Sequence, residues 1–430
     1  MEAADTQQLR FRDPSMVQGG DLTHLTSDKG MLNLSLCTNR IGPPPGAVDA
    51  VRRFLDHHAA RLMPPPYEAE QPPFQAHRLY LNAFADRLGI DHQDMLAGRG
   101  VTEFLMILGR RLQLSQVAVI TPEYTETLRR FGYAHFEQPE DPFGDTPARR
   151  LARVQRAMHT YDFVILSNPS NPLGHYIERQ DLLEACARFP HCTLIVDEEY
   201  IEFQGRHETL AGADATNLIV LQSTGKTYGI TGSRAGMLWT RNTRIRHVVA
   251  DELPAWPLSL LDIALATAAL AEEPWLERTL TQLKMAGEEL EQLLTQHFGS
   301  ATVPSDIHYR FVHLSNPYPA HHHLQDHGIA ARLFTAARGC SSGLRISTPG
   351  TPNEFDQLRL ALETLPSAAR PGHRYPPYAG KSVLHPHPQL SETANSQPPG
   401  TVQADRPLRG LAAEEHPPQA QDAANLPTLT

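Results

Sequence analysis

The chain has 430 residues, of which 40% are hydrophobic, so it can bury a large core and is expected to form two or three domains. Its formal charge of −10 argues against a nucleic-acid-binding protein, which needs clustered Lys and Arg on one face. The four cysteines show neither CxxC spacing nor a disulfide pattern, so we predict buried free thiols and no metal site.

Both ends of the chain differ in composition from its middle. Residues 1–28 are polar and are expected to form a flexible N-terminal arm. Residues 366–430 hold twelve of the 36 prolines and show little apolar periodicity, which predicts a disordered tail. The N-terminus has no apolar signal region and no stretch reaches about 18 apolar residues, so we expect neither secretion nor a membrane span, and predict a cytoplasmic protein.

Between these ends, short apolar runs alternate with amphipathic, helical patterns. The runs are β-branched and almost continuously apolar, as is typical of strands buried on both faces of a sheet. They lie at 116–122, 161–169, 192–200, 217–224 and 235–240. Because helical stretches separate most of them, the order predicts a three-layer α/β domain with a mainly parallel sheet.

The pattern changes after this region. Residues 259–298 are typical of long helices, and further strand and helix patterns follow up to residue 365. They indicate a smaller α+β domain. We therefore predict a large domain at 51–254 and a small domain built from 29–50 and 255–365.

Polar side chains follow three of the predicted strands. Asn171 lies in the loop after the second run, Asp197 follows the apolar part of the third, and Lys226 lies in a glycine-flanked loop after the fourth. Since ligands of open α/β sheets bind beyond the carboxyl ends of the strands, we expect these side chains to lie close together. Taken alone, Lys226 could be a solvated loop lysine and Asp197 a helix N-cap.

The motifs that carry these residues are NPSNPLG, VDEEY, STGKTYGITGSRAG and GLRIST, in that order. They resemble the fold-type I enzymes that depend on pyridoxal 5′-phosphate (PLP), in the class I and II aminotransferase group. Within that group the sequence is most similar to the branch of histidinol-phosphate aminotransferase and threonine-phosphate decarboxylase, over about residues 30–365. The resemblance implies PLP as the cofactor, a large domain that binds it, and a homodimer.

The resemblance also implies roles for single residues. Lys226 binds PLP as a Schiff base and acts as general base, while Asp197 keeps the pyridine nitrogen protonated. Tyr200 and Asn171 hydrogen-bond the phenolic oxygen of the cofactor. Tyr124 stacks on its ring, although an isolated tyrosine is more often core packing. Donors at a helix N-terminus and two side chains form a phosphate-binding cup. The cup consists of Gly100, Val101, Thr102, Ser223 and Arg234.

Three further residues are implied to bind the substrate. Arg345 matches the family arginine that binds the anionic group of the substrate, and Arg332 matches a second arginine of the phosphate-handling branch. A surface salt bridge is the alternative for Arg332. Asn39 matches the asparagine of the N-terminal substrate loop. The partners implied are an amino-acid substrate and a keto-acid acceptor.

Several positions depart from the family pattern. Gly225 and Val101 occupy positions where serine is common, so the phosphate-binding cup has fewer hydroxyl groups. His308 precedes Tyr309 where the branch has smaller residues. Extra residues near Tyr67 lengthen the loop that in the family reaches the partner's site. Because these changes affect substrate recognition more than cofactor binding, they favour a dedicated biosynthetic enzyme.

The sequence thus predicts a PLP-dependent aminotransferase that acts on an amino acid or an amine derived from one, phosphorylated amines included. A decarboxylase or lyase of the threonine-phosphate decarboxylase type is the alternative, favoured by the segment GVTE at 100–103. A non-catalytic descendant of the fold is a third hypothesis. The joint presence of Lys226 and Asp197 argues against it, because a binding module needs no electron-sink pair. Glu198 and Glu199 are interpreted as structural.

Overall fold

The computed structural model describes residues 31–58, 76–336 and 339–371. The predicted arm at 1–28, Tyr67 and most of the predicted tail lie outside the described residues. The first residues of that predicted tail are described. Ala369 is buried in the core of the small domain, so the folded part continues past residue 365.

A seven-stranded sheet lies at the centre of the large domain. After a two-residue strand β1 (Leu32–Asn33), which belongs to the small domain, the chain forms the strands of this sheet. They are β2 (Met95–Arg99), β3 (Val117–Ile120), β4 (His135–Glu137), β5 (Phe163–Ser167), β6 (Thr193–Asp197), β7 (Leu218–Ser223) and β8 (Ala235–Trp239). Their spatial order is β2-β8-β7-β6-β5-β3-β4, and all neighbours are parallel except β8, which is antiparallel to β2 and β7. The predicted α/β fold with a mainly parallel sheet is confirmed.

The direction of β8 follows from the length of the connection before it. Parallel neighbours need a crossover of about a dozen residues or more, usually with a helix. Residues 224–234, which contain no helix, are all that join β7 to β8. The chain therefore turns back along β7, and Lys226 lies in this turn.

Helices cover both faces of the sheet. They are α1 (Pro45–His58), α2 (Ala76–Leu88), α3 (Gly100–Arg111), α4 (Thr125–Arg130), α5 (Pro147–Thr160), α6 (Arg179–Arg188), α7 (Thr243–Glu252) and α8 (Leu260–Leu270). Alternate strand residues enter separate cores: Val164 and Leu166 pack with α5 and α6, whereas Phe163 and Ile165 share a core with α3, α4 and α7. This alternation explains why the strands are apolar at nearly every position.

The small domain contains a four-stranded antiparallel sheet in the order β12-β13-β10-β9. The chain enters it through the long helix α9 (Glu273–Phe298). The remaining elements are β9 (Thr302–Val303), β10 (Tyr309–His313), α10 (Tyr318–Asp326), β11 (Ile329–Ala330), β12 (Arg332–Phe334), β13 (Gly343–Ser347) and α11 (Pro352–Glu363). β1 pairs in parallel with β11, so the start of the described chain packs in this domain. The predicted smaller α+β domain is confirmed.

The boundary between the domains differs from the predicted one at residue 254. Ala47 on α1 and Ile263 on α8 are buried in the core of the large domain. Helical periodicity shows that a face is apolar but not which sheet it covers, so the sequence could not place these helices. No helix among the described residues is long and apolar enough to cross a membrane.

Candidate active site

A cavity of about 160 Å³ lies at the carboxyl ends of β5, β6 and β7. The N-terminal segment at 35–37 and β13 complete its wall. Every residue predicted to bind the cofactor lines this cavity, and so does Arg345. These cofactor residues are Gly100, Val101, Thr102, Tyr124, Asn171, Asp197, Tyr200, Ser223, Lys226 and Arg234. Asn39 and Arg332 are not among the residues that line it.

Asn39 holds the backbone of the loop that carries Lys226. Its side-chain amide donates to the carbonyl oxygen of Thr227 at 2.9 Å, and its main-chain N–H donates to the carbonyl oxygen of Lys226 at 2.9 Å. Asn39 is buried. Asn39 therefore supports the lysine loop, and the substrate contact implied for it stays a prediction. The sequence gives no sign of the long-range contact with that loop.

Asp197 ends the central strand β6 and is buried. Its Oδ1 accepts a hydrogen bond from the main-chain N–H of Glu199 at 3.0 Å. Burial and then the charge of Glu199 raise the pKa of Asp197, whereas the charge of Lys226 lowers it. A protonated nitrogen placed beside this carboxylate would stabilise its ionised form, which fits the site of a pyridinium ring.

Arg345, on β13, contacts the loop that follows β5. Its Nη1 donates to Oδ1 of Asn171 at 2.5 Å, and its Nη2 donates to the carbonyl oxygen of Ser35 at 3.1 Å. Its Nε has no hydrogen-bond partner among the described residues. Since a buried cation is costly when only neutral oxygens surround it, Arg345 fits a site for an anionic group.

Arg332 lies directly opposite Arg345 in the pairing of β12 with β13. It is buried, and its Nη2 donates to Oγ1 of Thr125 at 3.2 Å, so the alternative of a surface salt bridge is wrong. Burial and then the charge of Arg345 lower the pKa of Arg332 to about 10. Two guanidinium groups therefore lie on neighbouring strands, and that of Arg345 lines the cavity.

The phosphate-binding cup is built around the N-terminus of α3. Gly100 has a φ of +69°, and a Cβ there would lie 2.9 Å from Nη2 of Arg234. Glycine therefore allows the guanidinium to approach the free N–H groups of the helix. A helix N-terminus with an arginine beside it is suited to a phosphate group.

Two tyrosines complete the wall of the cavity. Tyr124 hydrogen-bonds the side chain of Thr102, and burial raises its pKa. Tyr200 packs edge-on against Tyr309, with 5.4 Å between ring centroids, and burial also raises its pKa. Both phenols therefore stay protonated at neutral pH and can donate hydrogen bonds.

Glu123 does not line the cavity but supports its wall, and the sequence analysis missed it. It is fully buried and accepts hydrogen bonds from the main-chain N–H and the hydroxyl of Ser167, both at 2.6 Å, and from Arg150 at 3.2 Å. Oγ of Ser167 in turn accepts the N–H of Asn171 at 3.0 Å. Glu123 thus fixes the loop that carries Asn171. Its only signal in the sequence is that it precedes Tyr124.

Glu198 and Glu199 differ in their surroundings. Glu198 is buried and accepts hydrogen bonds from Thr209 at 2.5 Å, from the N–H of Leu210 at 2.8 Å and from Gln222 at 2.7 Å, which fits the structural role predicted for it. Glu199 instead lines the cavity. The interpretation of Glu199 as structural is therefore corrected.

The comparisons with known proteins agree with this geometry. A family model described as aminotransferase class I and II matches residues 29–362. The chain belongs to this family. The predicted enzyme class, a transaminase, and the predicted cofactor, PLP, are confirmed with it.

Individual relatives lie in the predicted branch. A histidinol-phosphate aminotransferase from Acetobacter pasteurianus is 24% identical over 341 residues, which cover 78% of this chain and 91% of the relative. The structure of a histidinol-phosphate aminotransferase from Sinorhizobium meliloti, in complex with PLP, has a TM-score of 0.62 at 22% identity and covers 77% of this chain and 90% of that one. L-threonine-O-3-phosphate decarboxylase from Porphyromonas gingivalis has a TM-score of 0.61 at 19% identity, with 76% and 98% covered. At such identities the two solved structures show a shared fold.

Proposed function

We propose that this protein transfers the amino group of an amino acid, or of an amine derived from one, to a keto acid in a dedicated biosynthetic pathway. One observation carries the proposal: Lys226 and Asp197 line the same cavity as Arg345. An amine, a buried carboxylate and an anion-binding cation are the groups that PLP-dependent amino transfer requires.

Lys226 is the residue that would hold the cofactor and move the proton. When bound, PLP supplies an electron sink that stabilises negative charge at the substrate Cα. Asp197 would sustain that sink by holding the ring nitrogen protonated. The amine of Lys226 would be the base that removes the proton from the substrate Cα. Asn39 acts indirectly, because it holds the Lys226 loop in place.

Other cavity residues would bind and orient the cofactor. Asn171 and Tyr200 are the donors for its phenolic oxygen. The oxygen of the Asn171 amide is engaged by Arg345, and its NH₂ group remains as the donor. Tyr124 would cover one face of the ring. The phosphate-binding cup supplies N–H groups of α3 and the guanidinium of Arg234.

The two arginines indicate an anionic substrate. Arg345 would bind a carboxylate through its guanidinium. Arg332 adds a second cation on the neighbouring strand. Positive charges on neighbouring strands repel each other, and burial together with the charge of Arg345 lowers the pKa of Arg332. A second anionic group, such as a phosphate, would stabilise the pair. We therefore include phosphorylated amines in the substrate class.

The alternative chemistry is decarboxylation. Similarity to L-threonine-O-3-phosphate decarboxylase from Porphyromonas gingivalis supports it at the level of the fold, and the segment GVTE forms the start of α3. The family model supports amino transfer more directly. A non-catalytic role is disfavoured by the joint placement of Lys226 and Asp197 in one cavity.

We also propose a cytoplasmic homodimer, on the resemblance to the family. The helices α1, α2 and α8 pack together and carry the exposed apolar side chains of Leu55, Leu79 and Leu261. An apolar surface of this kind is suited to burial against a second copy. Sedimentation velocity of the purified chain tests this assembly.

The test of the proposed reaction separates the two chemistries. The purified protein is incubated with PLP and a panel of amino acids and amino-acid phosphates, with and without 2-oxoglutarate, while glutamate and carbon dioxide are measured. We expect glutamate from at least one donor and no carbon dioxide. Carbon dioxide released without a keto acid would contradict amino transfer and support the decarboxylase.

A matched pair of variants ties the activity to the cavity. Lys226→Ala should lower turnover by at least about a thousandfold, because it removes the nucleophile and the base together. Lys284→Ala changes an exposed lysine on α9 and should leave turnover unchanged. A Lys226→Ala protein with near-normal turnover would exclude the proposed mechanism.

A further inference from the structure

Glu199 places a second carboxylate in the cavity, two residues after Asp197. Its Oε1 accepts a hydrogen bond from Oγ of Ser223 at 2.6 Å. The main-chain N–H of Lys226 also donates to this carboxylate, and the charges of Lys226 and Arg234 act on it. Glu199 therefore contacts Ser223 and the lysine loop, on the side of the cavity where the phosphate-binding cup lies.

Ser223 can serve only one acceptor at a time. A hydroxyl group has a single proton to donate. The oxygen of Ser223 already accepts the N–H of Gly225 at 3.1 Å, and its proton is directed to Glu199. A phosphate oxygen bound at Ser223 needs that same proton. The carboxylate and a phosphate are thus alternative partners of this hydroxyl.

Among the residues of the cup, Thr102 carries the one other hydroxyl group. Val101 and Gly225 carry no hydroxyl, and the side chain of Thr102 is hydrogen-bonded to Tyr124. Two negative charges a few ångströms apart also repel each other. Glu199 therefore opposes a phosphate through both its charge and its hydrogen bonds.

We propose that Glu199 competes with the phosphate group of PLP for the phosphate-binding cup, so that this protein holds its cofactor less tightly than the cup alone would. This inference rests on the proposed function. Burial raises the pKa of Glu199 against the charges of Lys226 and Arg234, so the carboxyl group takes up a proton more readily when an anion binds beside it. The fraction of the protein that has PLP bound then depends on the concentration of free PLP.

Two substitutions separate charge from hydrogen bonding. Glu199→Gln removes the charge but keeps an acceptor for the Ser223 proton. Glu199→Ala removes both and frees the proton. Glu289→Gln is the control, because Glu289 lies on α9 with a 51% exposed side chain and does not line the cavity. Thermal unfolding of each variant shows that it is folded.

The measurement is the dissociation constant of PLP for each full-length protein, obtained by equilibrium dialysis with absorbance of the bound cofactor. Pyridoxal, which lacks the phosphate, is measured in parallel. We expect PLP to bind at least tenfold more tightly to Glu199→Ala, with a smaller gain for Glu199→Gln and a change below twofold for Glu289→Gln. Pyridoxal binding should change less than twofold in all of them.

Three other outcomes would exclude the inference. Unchanged or weaker PLP binding by both Glu199 variants would overturn it. An equal gain for PLP and pyridoxal would show that Glu199 acts on the ring or on Lys226 and not on the phosphate. If neither the wild type nor any variant binds PLP, the proposed function itself fails, and the inference fails with it.

Discussion

The hydrogen bonds of Arg345 do not compensate its positive charge. Asn171 and Ser35 supply neutral oxygens, and the guanidinium lies 5.3 Å from the centre of the Tyr309 ring. Aromatic and neutral partners orient a guanidinium without neutralising it. At the scale of single residues, we therefore propose that recognition of an anionic substrate depends most on this side chain.

Replacing Arg345 with Gln should weaken substrate use while leaving the fold intact. Hydrogen bonds to charged groups contribute about 1.5–3 kcal/mol each, so we expect kcat/KM to fall roughly 10- to 100-fold, mostly through KM. Steady-state kinetics with the best amino donor measures this. Arg359→Gln is the control, because Arg359 is 42% exposed and its ion pairs should contribute little. Equal losses in both variants would contradict a substrate contact at Arg345.

At the scale of secondary structure, the phosphate-binding cup depends on the backbone conformation at the start of α3. Gly100 follows the last residue of β2 and adopts a left-handed conformation that residues with a Cβ disfavour. Gly236, on the neighbouring strand β8, allows the start of α3 to approach closely, since a Cβ there would lie 2.5 Å from Cα of Gly100. The two glycines bring the helix N-terminus against β8, beside Arg234.

Gly100→Ala should therefore weaken cofactor binding and lower stability. The strained φ costs about 1–2 kcal/mol, and the added Cβ moves Arg234 away from the helix. We expect a lower midpoint of urea unfolding and weaker PLP binding by equilibrium dialysis. The control is Gly232→Ala, at a position where a Cβ would meet nothing within 4 Å. A Gly100→Ala protein with normal PLP affinity would exclude this role of the glycine.

The strands that could be predicted from the sequence are those with continuous apolar runs. β5, β6 and β7 are buried on both faces, so they are visible as apolar runs, and Asn171, Asp197 and Lys226 could be placed at their ends. β2 ends in glycine and arginine, and β12 has three residues and begins with arginine, so neither shows an apolar run and both were missed. The burial of Arg332 was missed with β12.

Contacts between segments that are far apart in the sequence could not be predicted. The amide of Asn39 bonds a carbonyl group 188 positions away, and Glu123 receives the N–H of Ser167, 44 positions away. Glu198 and Glu199 are adjacent residues of the same type, but only the side chain of Glu199 lines the cavity. No local pattern distinguishes such residues, because their partners are set by how the domains pack.

At the scale of the whole molecule, buried histidines link stability to pH. Burial lowers the pKa of His308 to about 3 and the pKa values of His175 and His313 to about 4. In an unfolded chain a histidine has a pKa of about 6.5, so between these values the unfolded state binds more protons. This contribution to stability is complete above about pH 6.5 and is lost as the pH falls towards 4 and 3.

His308→Phe should reduce this acid sensitivity. For His308 alone, the linkage lowers the free energy of unfolding by about 2 kcal/mol at pH 5 relative to pH 7. Phenylalanine keeps a ring against Phe203, which His308 stacks on at 4.8 Å. Urea unfolding at both pH values should show a difference about 2 kcal/mol smaller in the variant. His207→Gln, which changes a histidine with a 79% exposed side chain, should show no such change. If His308→Phe matches the wild type, the histidine is not neutral in the folded state.

The proposed attachment of PLP to Lys226 has a direct chemical test. Borohydride reduces the bond between a lysine and the cofactor to a stable amine, and peptide mass spectrometry then locates the modified lysine. The four lysines of the chain make the assignment unambiguous. We predict one modified peptide per chain, carrying the cofactor mass on Lys226. Modification at Lys284, or none in protein that shows amino-transfer activity, would contradict the account.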